Sequence, residues 1–218
     1  MTNDNSGGYN RSAALAIWAG TAAGLATMAL HPTGREVVHN ATEGGGNILV
    51  SSVHLLAILG QALVLAGAVA IAARLRARVD LAVGGYVFFA LGAFTIIVAA
   101  AASGLIAPST VRGIGELEAA ERGMMLNDLH YTGLINQSFA RISVVFTAVA
   151  LLIWCAAILR TRAFTRGIAI YGIALATLLL IGAGSGYLRL NIHGYGLVVL
   201  GTGLWQVLVA NALWRPHE

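Results

Sequence analysis

Histidine is the residue type in this 218-residue chain best suited to chemistry. There are six, against a single cysteine (Cys155) and no lysine. His31-Pro32-Thr33-Gly34 and His130-Tyr131-Thr132-Gly133 share an H-x-T-G spelling, and His193 stands in Asn191-Ile192-His193-Gly194-Tyr195-Gly196. Imidazole is the commonest metal-ligating side chain. Three or four convergent imidazoles, or two with a carboxylate, hold Zn²⁺, Cu²⁺ or iron. The expected ligands are His54, His130 and His193, with His31 a fourth ligand or an outer partner. Asp128, two residues before His130, is placed to orient that imidazole or complete the shell. Haem needs two axial histidines from facing helices near one depth, and His54 has no evident partner at its own. Arg141 is the expected neutraliser of an anionic substrate or a propionate. His31, His39, His54, His130 and His193 show no i, i+3 or i+4 spacing, so only the fold can bring them together.

Other chemistries lack their residues. There is no Walker loop, G-x-S-x-G elbow or HExxH. The absence of lysine removes a retinal Schiff base, and one cysteine excludes an intrachain disulfide or a multi-cysteine metal site. Ser51 and His54, three residues apart, read as neighbours on a polar stripe rather than a nucleophile and its base.

The elements that must position these residues are membrane spans. Hydrophobic residues make up 58% of the chain and charged ones 10%, far below the roughly 25% charge of a soluble domain. Six stretches free of Asp, Glu and Arg meet the need of about 20 apolar residues per span. They are Ser12–Leu30, Gly44–Ala73, Leu81–Val111, Ile142–Leu159, Gly167–Leu188 and Leu190–Trp214. The fourth is expected to begin earlier, near Gly133, which places Arg141 inside it. The expected fold is an all-α, six-span bundle over 12–214. A disordered polar tail (1–11) precedes it, and a short tail (215–218) follows.

Arginine placement orients the bundle. With the N-terminus in the cytoplasm, Arg11, Arg74, Arg76, Arg78, Arg160, Arg162, Arg166 and Arg215 lie inside and Arg35, Arg112, Arg122 and Arg189 outside. Eight against four satisfies the positive-inside rule with both termini cytoplasmic. The net charge of +4 is spread one to three arginines at a time between apolar runs, which argues against nucleic acid as a partner. The partner is the lipid bilayer of a bacterial inner membrane, and a homo-oligomer or a membrane-complex partner stays open.

This topology collects the polar chemistry at the outer end, where five histidines fall together with Glu36, Glu43, Glu116, Glu118, Glu121 and Asp128. Asn47, Ser51, His54 and Gln61 are spaced i, i+4, i+7 and i+14, one stripe of a helix that must face the bundle interior. Asn136, Gln137, Ser138 and Arg141 answer it on span four. Between Arg112 and Leu129, acidic and apolar residues alternate by about a turn, which predicts a short amphipathic helix on the outer surface between spans three and four. Ala16, Gly20 and Gly24 form a small-residue seam for close helix packing. The Arg-rich turns after spans two and four echo one another, as a repeat or as two independent positive-inside turns.

The motifs Leu129-His130-Tyr131-Thr132-Gly133 and Arg166-Gly167-Ile168 resemble those of an uncharacterised family of six-span bacterial membrane proteins. Thr165 stands where that family's pattern has proline. The resemblance implies the six-span fold and no particular activity. The residues themselves point to a His-lined outer site that holds a metal or haem for redox or hydrolytic chemistry. The alternatives are a transporter or small-solute binder using the same cavity, and an accessory subunit of a membrane complex.

Overall fold

A computed structural model describes residues 5–43, 47–76 and 80–215, with side chains from residue 8. No strand occurs among them, and six helices are long and apolar enough to cross a membrane. The spanning helices are α1 (Asn5–Ala29), α3 (Ile48–Arg76), α4 (Leu81–Ala101), α6 (Ala119–Thr161), α7 (Arg166–Ser185) and α8 (Ile192–Trp214). Span three continues past α4 through a π-helical turn (Ala102–Ile106) into α5 (Ala107–Thr110). A further short helix, α2 (Gly34–Thr42), follows the first span. The polar segment expected as a disordered tail is helical from Asn5 onward. Residues 1–4, Arg78 and 216–218, with His217, lie outside the described residues.

The spanning helices close a ring in which α7 packs on α6, α6 on α4, α4 on α3, α3 on α1 and α1 on α8. The last join, α7 to α8, is the slightest. Large apolar side chains such as Leu59, Phe94, Leu178 and Leu197 point outward from the ring, the surface that lipid must cover. Between helices in lipid the approach of backbones takes over from hydrophobic burial. A Cβ on Gly20 would strike the Gly60 carbonyl, and one on Gly67 would lie 2.7 Å from the Ala13 carbonyl. Gly20 and Gly60 thus seat α1 directly on α3.

One end of the ring gathers the start of α1 and the ends of α3 and α8. There the Arg11 guanidinium lies 5.6 Å from the Trp214 ring, Trp18 packs on Trp214, and Arg74 donates to the Ala212 carbonyl at 3.1 Å. The other end carries a small cap. Val37 and Ala41 of α2, Val50 of α3, and Val111 and Ile114 form a second buried cluster, against which Met125 and Leu129 pack.

The cap differs from the expected surface helix over 112–129. Gly113 (φ +77°) turns the chain, a 3₁₀ turn covers Ile114–Glu116, and Ala119 then opens α6 itself. At 43 residues, α6 is about 65 Å long, roughly twice the ~30 Å hydrocarbon thickness. Its first turns therefore stand clear of the bundle, with one side held by the cap. Glu116, Glu118 and Glu121 are exposed, as a solvated face requires.

Helix α2 starts at a capping box. The Glu36 backbone N–H donates to the Thr33 hydroxyl, and the Thr33 backbone N–H donates to the Glu36 carboxylate. The Thr33 backbone bond, followed by its side-chain bond, holds the Glu36 carboxyl below its ordinary 4.5. A carboxyl whose folded pKa is depressed stabilises the fold above the unfolded value and loses that contribution as pH falls through the lowered one. The protection factors of the α2 amides, taken against the intrinsic exchange rate at each pH, are therefore expected to fall as pH drops through that lowered value while the spans stay protected. A Glu36→Ala variant should show the lower protection already at neutral pH. Equal α2 protection in both proteins at pH 7 would contradict this.

Candidate functional site

His54 lies in the second turn of α3 and is 3% exposed. Its Nδ1 is 2.7 Å from the Val50 carbonyl. A carbonyl only accepts, so Nδ1 carries the proton and Nε2 presents its lone pair. That Nε2 is buried and has no hydrogen-bond partner among the described residues. Buried polar groups are nearly always satisfied, and of the buried side-chain atoms left without a partner, which include Asn47 Oδ1 and Trp205 Nε1, His54 Nε2 belongs to a residue that lines an internal cavity.

His31 comes to meet it. Pro32 follows the last turn of α1, and His31 Nδ1 lies 2.8 Å from the Pro32 carbonyl, which again assigns the proton to Nδ1. The two imidazoles stand edge to face with centroids 4.8 Å apart. Both rings therefore offer the same atom, Nε2, for whatever they bind.

The π-helical turn makes room for them. A Cβ on Gly104 would overlap the Cβ and Cγ of His54, so only glycine lets span three pass the imidazole. Pro108 has no N–H for the carbonyl four residues before it, that of Gly104, and the Ser51 hydroxyl donates there instead at 2.8 Å. Gly104→Ala is expected to cost about 1–3 kcal/mol through overpacking, read as a lower unfolding temperature in detergent. Unchanged stability would show that the imidazole is not held against this turn.

Two adjoining cavities, of about 160 and 290 Å³, share His31, His54, Ser103, Asn136 and Gln137. The larger reaches Gly34, Leu129 and Thr132 at the capped end. The smaller shares Thr27, Ala57, Ile96 and Tyr195 with a third cavity of about 110 Å³, which extends inward to Gln61 and Gln206. Gln137 donates to the Leu190 carbonyl at 3.0 Å and Thr21 to Gln206 Oε1 at 2.8 Å. No Asp, Glu or Arg is among the described residues lining these three cavities. Phe89 lines the innermost, and its ring packs on Trp154, which stacks on Trp205 at 6.0 Å and 3°. Both tryptophans are fully buried, and Trp154 reaches the first turn of α4 through its bond to the Ala82 carbonyl.

Family models, curated proteins and solved structures show no match to this chain.

The fold separates most of the residues expected to act together. His130 and Asp128 are exposed on α6, whose cap and cavity contacts here are made by Leu129 and Thr132, and the His130 ring packs on Tyr131. His193 is exposed in the first turn of α8, whose N-cap Asn191 accepts from the Gly194 N–H. Arg141 is exposed, while Asn136, Gln137 and Ala140 of the same helix line the cavity. Arg141 thus lies outside the cavity lining, on the exposed side of α6. Among the described residues no three of His, Cys, Asp and Glu converge. His31 and His54 are in ring contact.

The polar stripe of α3 does face protein: Asn47 Nδ2 donates to the Val37 carbonyl at 3.2 Å, Ser51 bonds Gly104, and His54 and Gln61 line cavities. Sequence reading missed Ser103, Thr27 and Tyr195 as lining residues. Ser103-Gly104 is the one break in a run of small apolar residues before Pro108, and that interruption was the available signal.

Proposed function

We propose that the protein is a membrane carrier for a small neutral polar solute, open at the capped end and closed at the end that bears the termini. The orphaned, buried Nε2 of His54 carries this reading: it is an acceptor without a donor, at the wall of a cavity. A charged solute would find no counter-charge among the described lining residues, and burying it unpaired is costly. Each cavity by itself, at about 110 to 290 Å³, suits a solute of few atoms that donates at least one hydrogen bond. Asn136, Gln137 and Ser103 supply further donors and acceptors beside the His pair. By the positive-inside rule the termini lie in the cytoplasm of a bacterium, so the cavity opens to the outside across the inner membrane.

The test is osmotic swelling of proteoliposomes in glycerol and in urea. Faster swelling than protein-free liposomes, lost in His54→Phe, supports the carrier. Rates equal to protein-free liposomes for both solutes contradict it.

A second reading has an observation of its own. Each Nδ1 is held by a backbone carbonyl and each Nε2 is left over, the arrangement in which imidazoles ligate metals. Two nitrogens fall short of the three or four protein ligands of a zinc centre, so a metal here would complete its shell with water, the Asn136 or Gln137 amide, or solute. Elemental analysis of detergent-purified protein separates the readings: about one zinc, copper or iron per chain, lost in His54→Ala, favours the metal.

A further inference from the structure

The termini-bearing end holds a recess of about 700 Å³ in the seam between α7 and α8. Four arginines line it. Arg74 comes from the end of α3, Arg162 and Arg166 flank the turn between α6 and α7, and Arg215 follows α8. Asn211 and Thr165 add neutral polar groups, and no carboxylate is among the described lining residues.

The cations are positioned rather than merely near one another. The Arg74 guanidinium lies 4.4 Å from the Phe164 ring and donates to the Ala212 carbonyl at 3.1 Å, which ties α3 to α8. Arg162 is the one non-glycine residue of left-handed backbone (φ 53°) among those described, and it caps α6 through its N–H to the Ile158 carbonyl at 2.8 Å. Arg162, Arg166 and Arg215 have no carboxylate at ion-pair distance among the described residues. Helix α7 also begins here. Its N-cap Thr165 makes no side-chain capping bond, and its first turn has no acid, so the positive end of its dipole adds to the same field. Like charges around one recess repel, and an anion among them relieves that repulsion.

We infer that this recess binds a phosphate group, held by Arg162, Arg166 and Arg215 together with Arg74. Planar guanidinium forks match phosphate oxygens in pairs. The recess also lies at the level of Trp18, Trp214 and Arg11, residues of the kind that mark where helices leave the hydrocarbon. The phosphate is that of a lipid headgroup or of a soluble phosphate. Its effect is to staple α8 to the α6–α7 turn across the slightest join of the ring. The inference is independent of what the His54 cavity binds.

The experiment uses the full-length protein in nanodiscs. Retention of phosphatidylglycerol over phosphatidylcholine is read by native mass spectrometry, and the unfolding temperature is read with and without inorganic phosphate at constant ionic strength. Native protein is expected to retain the anionic lipid, or to be stabilised by phosphate, with about tenfold or greater loss of affinity in Arg166→Gln/Arg215→Gln. Arg35→Gln/Arg112→Gln, at the opposite end, is expected to behave as native protein. Arg166→Lys/Arg215→Lys keeps the charge without the fork and should fall between, so the series stays readable if the glutamine variant folds poorly. Retention of phosphatidylglycerol that inorganic phosphate does not displace assigns the site to lipid. Stabilisation by inorganic phosphate with displacement of the lipid assigns it to a soluble phosphate. Equal binding by native and Arg166→Gln/Arg215→Gln protein, equal loss in the opposite-end variant, or no binding of either probe by native protein overturns the inference.

Discussion

Trp154→Ala is expected to destabilise the protein more than any other single truncation, by about 3–5 kcal/mol, and to open the bundle at the same time. Trp154 is fully buried, donates its indole N–H to the Ala82 carbonyl at 3.0 Å, stacks on Trp205 and packs at a tilt against Phe89. In lipid, the gain from leaving water is absent. The loss is therefore one of dispersion contacts, plus a carbonyl left without its donor. The tight fit of Gly85, whose Cβ would lie 2.6 Å from the Trp154 ring, shows that α4 is shaped to that side chain and cannot readily collapse onto alanine. The functional consequence is separate from the energetic one. Trp154 backs Phe89, which lines the inner cavity, and removal of its ring is expected to make Gln61 reachable from the termini-bearing end. A Gln61→Cys probe is expected to react from that end only in the Trp154→Ala protein. Reaction in both proteins, or in neither, would place the closure elsewhere.

His54→Phe is expected to reduce solute uptake about 10- to 100-fold, the worth of a buried hydrogen bond of 1–3 kcal/mol, while leaving the unfolding temperature unchanged or raised. The two readouts together distinguish function from packing. A core histidine with both nitrogens satisfied would lose stability on replacement by an apolar ring. His54 loses one bond, to Val50, but sheds a buried nitrogen that no described group satisfies. Loss of uptake at retained stability is the signature of a residue kept for its ligand at the expense of the fold. A large fall in stability with unaltered uptake would make His54 a structural group.

The spans were legible because lipid enforces them: uninterrupted apolar length has no other use in a chain this poor in charge. Five of the six ended within a few residues of where composition and Arg turns placed them, and α6 ran far beyond its apolar stretch. Its extra turns carry Glu121, Asp128 and His130, and nothing in hydropathy separates a helix that projects into water from one that lies on the surface. Helix α2 was readable in principle from Thr33-x-x-Glu36 but was too short to show an apolar period. The inward stripe of Asn47, Ser51, His54 and Gln61 was legible for the same reason as the spans, since polar groups facing lipid are costly. The partner of His54 was not. His31 lies 23 positions earlier and joins it only because Pro32 ends α1 and the π turn at Gly104 admits the imidazole. Placement at the outer end made His130 and His193 seem its neighbours. Depth and rotation about each helix axis are set by packing and left all but His31 outside.

In the proposed carrier, the polar cavity around His54 opens at the capped end. Substituted-cysteine labelling tests it without knowledge of the solute. In a Cys155→Ala background, Ser103→Cys and Asn136→Cys line the cavity and Leu178→Cys, 69% exposed, faces lipid. A small, membrane-impermeant methanethiosulfonate applied to intact cells is expected to label the first two and spare the third. Absence of labelling at Ser103→Cys and Asn136→Cys, in protein shown to be folded, would contradict the account.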